Sequence, residues 1–206
     1  MRPDRIMPMH SWKELGGYSL LELTMVMGLG ATLTAAAVPQ YLSGLDDVRA
    51  KGAAHHLAGR LQNARMEAVN RSAMVGVQFT QTPEGTYSYA VYVDGNRNGV
   101  LTRDIQKGVD TLIATAERLA AQFPGVDVGA LPGLPSVDPG GTAPGSDPVR
   151  LGSGNIASFS AAGTASSGTI YIRGRRDVQY AVRIFGETGK TRMLKFDART
   201  RRWKPV

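Results

Sequence analysis

The chain has 206 residues, of which 42% are hydrophobic and 20% are charged, and its formal net charge is +7. The length leaves room for one globular domain of ordinary size beyond an N-terminal segment, and such a domain can bury a core. The sequence contains no cysteine, which excludes a disulfide framework and cysteine-ligated metal sites. The fold must therefore be held together by packing.

The first predicted element is an apolar run over residues 18–38. As a helix with a rise of about 1.5 Å per residue it is about 32 Å long, which matches a hydrocarbon core about 30 Å thick. Arg2, Arg5 and Lys13 precede it, so we expect the N-terminus to stay in the cytoplasm and the rest of the chain to lie outside. A secretory signal would have a shorter apolar core and a cleavage site on its far side. A buried soluble helix could be equally apolar, but a free-standing apolar stretch after a short basic head suits a membrane span. The run is predicted to be a membrane anchor.

Glu22 places a carboxylate inside this apolar run. By insertion scales such a group costs at least ~2.5 kcal/mol, so its default interpretation is functional. We therefore expect Glu22 to have a cationic partner.

The N-terminal motif carries a family resemblance. Gly17-Tyr18-Ser19-Leu20-Leu21-Glu22, followed by an apolar run closed by Pro39, resembles the class III signal of type IV pilins and type II secretion pseudopilins. The resemblance implies that prepilin peptidase removes residues 1–17 as a leader by cutting after Gly17, and that it methylates Tyr18, where phenylalanine is usual. It further implies that Glu22 pairs with the α-amine of a neighbouring subunit and that the helix bends at Pro39.

Beyond Pro39 the apolar residues recur at steps of three or four, from Leu42 to Val69, with charged residues between them. This period predicts that the helix continues as an amphipathic stalk over residues 39–72, whose apolar stripe packs on the domain's own sheet rather than forming a groove for a partner. Gly44, Gly52 and Gly59 each weaken such a helix by up to about 1 kcal/mol. Close packing in a filament or simple tolerance would explain them.

Residues 73–206 are predicted to form a β-rich globular domain. Met74–Thr80 and Tyr87–Asp94 alternate in polarity and predict an antiparallel hairpin. Four more runs are typical of strands: Ile156–Ser160, Thr169–Arg173, Val178–Phe185 and Arg192–Asp197. The segment 131–155 is rich in proline and glycine and is predicted to be a flexible surface loop that adds nothing to the core. The predicted fold class is α+β, with a long transmembrane and stalk helix packed on antiparallel sheet.

Two further segments refine the resemblance. Leu61 to Ala68 resembles the pattern "L…AR.EA", and Phe159 to Ile172 resembles the pattern "F…G…GTIY", both of the GspH/FimT family. The resemblance implies a minor pseudopilin of the type II secretion system, a structural subunit of the inner membrane with a periplasmic domain. Its implied partners are prepilin peptidase and other pilin-like subunits. The alternative that it leaves open is a type IV pilus minor pilin that binds DNA for uptake.

Basic residues are concentrated near the C-terminus: residues 173–206 contain eleven basic and three acidic side chains. Gly189-Lys190-Thr191-Arg192 resembles the GRxR-like turn of FimT minor pilins that bind DNA, with lysine replacing the first arginine. The candidate DNA-binding residues are Lys190, Arg192, Arg199, Arg201 and Arg202. A solvated sheet face or a patch for an acidic partner would give the same charge pattern.

The remaining polar motifs do not predict catalysis. Asp94-Gly-Asn-Arg-Asn-Gly99 matches the opening of a calcium loop, but Ile105 occupies the position of the closing acid, so we favour a tight polar turn over a metal site. His10 lies in the leader, and His55 and His56 are adjacent on one helix, where a 100° step points their side chains apart. We therefore expect no enzyme activity, no cofactor and no metal.

Overall fold

The computed structural model describes residues 17–152 and 154–206, so the leader predicted over residues 1–17 lies outside the described residues except for Gly17. Helix α1 runs from Leu20–Arg71 and has 52 residues. The chain divides into two units, with the boundary between Tyr41 and Leu42. Pro39 lies within the bounds of α1, and the bend expected there stays a prediction.

Helix α1 ends where the sequence period predicts. Ser72 has left-handed backbone with φ 50°, and the Ala73 N–H donates to the Ala68 carbonyl at 3.2 Å. A left-handed residue followed by such a bond terminates a helix by satisfying a carbonyl of its last turn. The chain then enters the sheet two residues later.

The strands form two antiparallel sheets. The first has the order β3-β2-β1-β6, and the second has the order β10-β9-β8-β7-β4, with β5 also paired to β7. The elements after α1 are β1 (Val75–Gln81), β2 (Tyr87–Val93), α2 (Thr102–Gln106), β3 (Thr111–Glu117), α3 (Leu119–Gln122), β4 (Asp127–Val128), β5 (Val149–Arg150), β6 (Ile156–Phe159), β7 (Gly168–Arg173), β8 (Gln179–Ile184), β9 (Thr191–Asp197) and β10 (Arg202–Pro205). The predicted α+β class, the hairpin and the four later strands are confirmed.

One face of α1 packs against both sheets. The buried stripe holds Ala53, Leu57 and Leu61, and it meets inner-face residues such as Val77 of β1 and Ile170 of β7 in one hydrophobic cluster. The predicted interpretation of the stripe as core is therefore confirmed. Burial of this apolar surface, at roughly 25 cal/mol per Å², is the main force that holds the helix on the sheets.

Three positions of the predicted stripe are wrong, and one of its glycines has a local cause. Leu42 is 40% exposed, Val48 67% and Val69 44%, so these side chains do not pack on the sheets. A Cβ on Gly52 would lie 2.9 Å from Cε1 of Phe123. Close packing within this chain therefore explains Gly52.

The prediction that 131–155 adds nothing to the core is wrong. Leu134 is buried against Tyr171 and Ala181 on the outer face of the second sheet, and Val149 is fully buried in the main cluster. The buried Gln179 carboxamide holds the start of the segment, because its oxygen accepts from the Leu131 N–H at 3.0 Å. Proline and glycine disfavour regular structure here, but they do not prevent burial.

Candidate functional site

The predicted cleavage site lies directly before α1. Gly17 and Tyr18 are exposed and outside the helix, and Ser19 caps it by accepting the Glu22 N–H on Oγ at 3.1 Å. Ser19 and Glu22 stand three residues apart, which is the spacing of a capping box. Glu22 is exposed in the first helical turn, so its carboxylate can be reached by a neighbouring molecule.

Judged by its length and composition, the N-terminal half of α1 could cross a membrane. Its most apolar 18-residue window has a mean hydropathy of 1.6 and no buried residues in the described structure. The threonine hydroxyls in this stretch donate to carbonyls one turn earlier, with Thr24 bonded to Leu21 and Thr32 to Leu29 at 2.9 and 2.8 Å. Satisfied hydroxyls lower the cost of placing these side chains in lipid. Sequence analysis did not identify this adaptation.

The two internal motifs meet in space. Arg65 donates from Nε to the Gly163 carbonyl at 2.9 Å, and Gln62 donates to the Gly189 carbonyl at 3.1 Å. Gly163 and Gly189 lie in the turns before β7 and β9 and both have positive φ. The motif on α1 therefore fixes two turns of the second sheet, which is a structural role.

The five candidate DNA-binding residues form two separate groups. Lys190 and Arg192 lie at the start of β9, whereas Arg199, Arg201 and Arg202 lie beyond its other end. Seven residues at about 3.4 Å each separate the groups by about 20 Å. The Arg201 guanidinium also donates to the Gly133 carbonyl at 3.0 Å, so part of its hydrogen-bonding capacity serves the fold.

A row of arginines crosses the second sheet beside the first group. Thr169 of β7 pairs in register with Arg150 of β5 on one side and with Arg183 of β8 on the other. Arg183 in turn pairs with Arg192 of β9. Because register partners share one face of a sheet, the three arginines lie on the same face. Arg183 is held by Asp138 through bonds of 3.1 and 2.8 Å, and its guanidinium lies 5.8 Å from the ring centre of Phe185. Sequence analysis did not identify Arg150, because only strand register brings it to this face.

Other basic residues of this region are neutralised within the chain. The Lys195 ammonium lies 2.6 Å from Asp47 on α1, and Tyr180 donates to the same carboxylate at 3.0 Å. Burial, followed by the Asp47 hydrogen bond and charge, raises the pKa of Tyr180 above its ordinary value. The hydrogen bond from Lys204 is the main cause that lowers the pKa of Asp197. These cations are less available to a ligand than Lys190 and Arg192, which are exposed and form no ion pair with any residue that the structure describes.

The segment that resembles a calcium loop is a tight turn. Asp94 Oδ1 accepts the Arg97 N–H at 2.8 Å and Oδ2 accepts the Gly99 N–H at 2.7 Å. Positive φ falls on Arg97 and Gly99 rather than on the asparagines. Within 17–152 and 154–206, no group of three or more His, Asp or Glu side chains is arranged to hold a metal ion. The carboxylate of Asp94 is used by the backbone of its own loop.

His56 belongs to a polar cluster between α1 and the first sheet. Its Nε2 lies 3.4 Å from Glu117, which also accepts from Arg60 and from the Tyr89 hydroxyl. Burial and then the Arg60 charge lower the pKa of His56, which favours its neutral form. Because Glu117 is committed to three partners, the cluster resembles a structural clamp more than an acid–base pair.

The long apolar N-terminal helix followed by two antiparallel sheets defines a pilin-like α+β protein. Residues 53–188 match the family described as Type II transport protein GspH, and the chain belongs to that family. Over 83 residues it is also 40% identical to the "Pilin-like protein PilA1" of Thermus thermophilus, a match that covers 40% of this chain and 50% of that protein. The chain therefore aligns with only about half the length of this curated relative. No solved structure matches the chain.

Membership of this family gives the chain a structural role of the pilin or pseudopilin type. The class is generally non-enzymatic and assembles from pilin-like subunits. The signature motifs described above serve that role by fixing the turns of the domain to its helix.

Proposed function

We propose that this protein is a minor pseudopilin, a structural subunit of the type II secretion pseudopilus. Prepilin peptidase cuts it after Gly17, and residues 18–38 anchor it in the inner membrane with the domain in the periplasm. The observation that carries the proposal is the start of α1, where the exposed Gly17 and Tyr18 lie outside the helix and Glu22 lies in its first turn. A peptidase needs the scissile bond outside a helix, and this arrangement provides it.

Glu22 connects processing to assembly in this proposal. Cleavage creates a new α-amine at Tyr18, and that cation on one subunit neutralises Glu22 on the next. Because an unpaired carboxylate in lipid is costly, the pair forms only when subunits associate. The competing role for Glu22 is local, since Ser19 and Glu22 have the spacing of a capping box.

Three variants separate the two roles. Glu22→Gln keeps a side chain that can cap the helix but removes the charge, Glu22→Ala removes both, and Ser19→Ala removes the observed cap. We expect both Glu22 variants to stay in the membrane fraction but to lose copurification with other pilin-like subunits, while Ser19→Ala retains it. Normal copurification of Glu22→Gln would show that charge pairing is not the role of Glu22.

Processing has its own measurement. Intact-mass analysis of the membrane-extracted protein is expected to show the loss of 17 residues and the gain of one methyl group on Tyr18. A Gly17→Leu variant provides the control and is expected to keep the leader. A mature N-terminus near Pro39 would instead identify a secretory signal and would reject the anchor.

A second candidate function is DNA capture by a type IV pilus minor pilin. It is favoured by the exposed Lys190 and Arg192, of which Arg192 belongs to the row that also contains Arg150 and Arg183. Cations that project from one sheet face can neutralise several phosphates together, and the exposed Phe185 ring offers a surface for stacking. Arg199, Arg201 and Arg202 form a separate group about 20 Å away and would extend such a contact.

A further inference from the structure

Two hairpin turns at one end of the second sheet carry a cluster of arginines. The turn between β7 and β8 lies beside the turn between β9 and β10, because β8 and β9 are neighbours and Tyr180 near the start of β8 pairs with Lys195 near the end of β9. We call the exposed arginines of these turns, including the first residue of β10, the basic end: Arg175, Arg176, Arg199, Arg201 and Arg202.

Most of the positive charge of the basic end is not neutralised within the chain. Arg176 lies 3.7 Å from Asp46 of α1. Two acids lie among the arginines, and one of them, Asp197, is ion-paired with Lys204, while Asp177 is exposed. The other four arginines form no ion pair with any residue in 17–152 or 154–206. The basic end therefore presents an excess of positive charge to the solvent.

Two of these arginines occupy backbone that arginine rarely adopts. Arg176 has φ 52° and Arg201 has φ 51°, in the left-handed region that glycine and asparagine adopt at lower cost. The guanidinium of Arg201 hydrogen-bonds only to the neutral Gly133 carbonyl. Because costly backbone is concentrated at functional sites, a charged side chain at these two positions favours a role outside the fold.

The basic end lies where the chain enters the domain. The unit Leu42–Val206 begins on α1, and Arg176 contacts this helix early in the unit, at Asp46. The opposite end of the second sheet contacts α1 more than one turn later, where Gln62 donates to the Gly189 carbonyl. The order of these contacts along α1 places the basic end toward the first residue of the unit.

This inference rests on the proposed membrane anchor over residues 18–38. Asp46 is eight residues beyond Val38. Their Cα atoms are about 12 Å apart in a helix and at most about 29 Å apart in a fully extended chain. Whatever the conformation of the connection, its length keeps the basic end close to the membrane surface.

We propose that the basic end binds the phosphate groups of anionic phospholipids in the membrane that anchors the chain. The planar guanidinium group suits this ligand, because it donates two parallel hydrogen bonds to phosphate oxygens and is weakly hydrated. Attraction to a charged surface acts over about 10 Å at 0.1 M salt, and each cation that reaches an anionic bilayer shifts the balance toward contact roughly fivefold. The contact would orient the domain on the bilayer.

Lipid-dependent quenching measures this contact in the full chain. Because the chain contains no cysteine, Ala198→Cys places one fluorescent label in the exposed β9–β10 turn, and Glu187→Cys places one in the exposed β8–β9 turn at the other end of the sheet. Each labelled chain is reconstituted in vesicles of phosphatidylcholine, or of equal parts phosphatidylcholine and phosphatidylglycerol, with a contact quencher on some headgroups. We expect stronger quenching in the anionic vesicles at position 198 only. Salt at 1 M, where the screening length is about 3 Å, should remove the difference.

A matched pair of double variants tests the arginines themselves. Arg199→Gln with Arg202→Gln removes two charges from the basic end, and neither side chain hydrogen-bonds to another described residue. At low salt the ratio of docked to free turn should fall roughly 25-fold, so that quenching at position 198 approaches its value in neutral vesicles. Lys190→Gln with Arg192→Gln removes the same charge at the other end of β9 and should leave this quenching unchanged.

Three outcomes would overturn the proposal. Equal quenching at position 198 in both kinds of vesicle, by a chain that stays in neutral vesicles at 1 M salt, would reject the basic end and leave the anchor standing. Release of the chain from neutral vesicles would reject the anchor and this inference with it. Weaker binding of duplex DNA by the Arg199→Gln, Arg202→Gln variant, with unchanged quenching, would assign the basic end to nucleic acid instead.

Discussion

Replacing Gly189 by alanine should destabilise the domain through a defined set of contacts. Gly189 has φ 61°, and left-handed backbone costs roughly 1–2 kcal/mol for a residue with a Cβ. The new Cβ would also collide with the Gly163 carbonyl and lie 2.7 Å from Nε of Arg65. The bond from Arg65 to Gly163 must then shift, and loss of a charged hydrogen bond costs about 1.5–3 kcal/mol. We expect a total loss of about 2.5–5 kcal/mol.

Urea denaturation of the unit Leu42–Val206 measures this loss. Gly85→Ala is the matched control, because Gly85 also has positive φ, at 81°, but its Cβ would meet nothing within 4 Å. Gly85→Ala should therefore cost only the free energy of placing a Cβ on left-handed backbone, about 1–2 kcal/mol. Equal costs for the two variants would show that the contacts among Gly163, Gly189 and Arg65 add nothing.

A double-mutant cycle tests whether the cost of Gly189→Ala beyond the backbone conformation comes from contact with Arg65. With Arg65→Ala already present, the new methyl group at position 189 no longer meets the guanidinium, so Gly189→Ala should cost less than it does in the wild type. The coupling should be about 1–2 kcal/mol, the range for residues in direct contact. Additive costs would contradict the role assigned to Arg65.

Two further predictions concern titration and ligand binding. Because the pKa of Tyr180 is raised, the folded state favours the neutral phenol. The contribution of this phenol to the free energy of unfolding is therefore complete below about pH 10 and is lost as the pH rises above that value. Tyr180→Phe should cost about 1–3 kcal/mol at pH 7 and should reduce the fall in unfolding free energy between pH 9 and pH 11; an unchanged fall would reject this assignment. If the domain binds DNA, Lys190→Ala with Arg192→Ala should reduce the slope of log affinity against log salt by about 1.8, whereas Arg103→Ala with Lys107→Ala should leave it nearly unchanged. Fluorescence anisotropy at several salt concentrations checks this, and no binding by the wild type at low salt would reject DNA capture.

The long elements could be predicted from the sequence because their periods are strong. The stripe from Ala53 to Ala68 and the alternation of Tyr87–Val93 each report a single buried face. Strand β3 was missed because both of its faces are largely exposed, so its sequence carries no alternation. The core position of Leu134 was missed because it depends on Tyr171 and Ala181, which lie far away along the chain.

In the candidate site, too, local motifs could be predicted from the sequence, whereas groupings of distant residues could not. The N-terminal motif is local, so Gly17, Tyr18 and Glu22 could be identified without a structure, and their roles stay predictions. The basic residues depend on strand register instead. Arg192 and Arg199 are seven positions apart in sequence but lie toward opposite ends of β9, whereas Arg150 and Arg192 are distant in sequence and share one row.

The attachment of α1 to two turns has a mechanical consequence. Leu57 and Leu61 anchor the helix in the core, and Gln62 and Arg65 hold the turns at Gly189 and Gly163. Tension along the helix axis would load these contacts side by side, in shear, instead of peeling them apart in succession. Removing this part of the helix also opens the core between both sheets, so the domain should yield to a pulling force in one cooperative step.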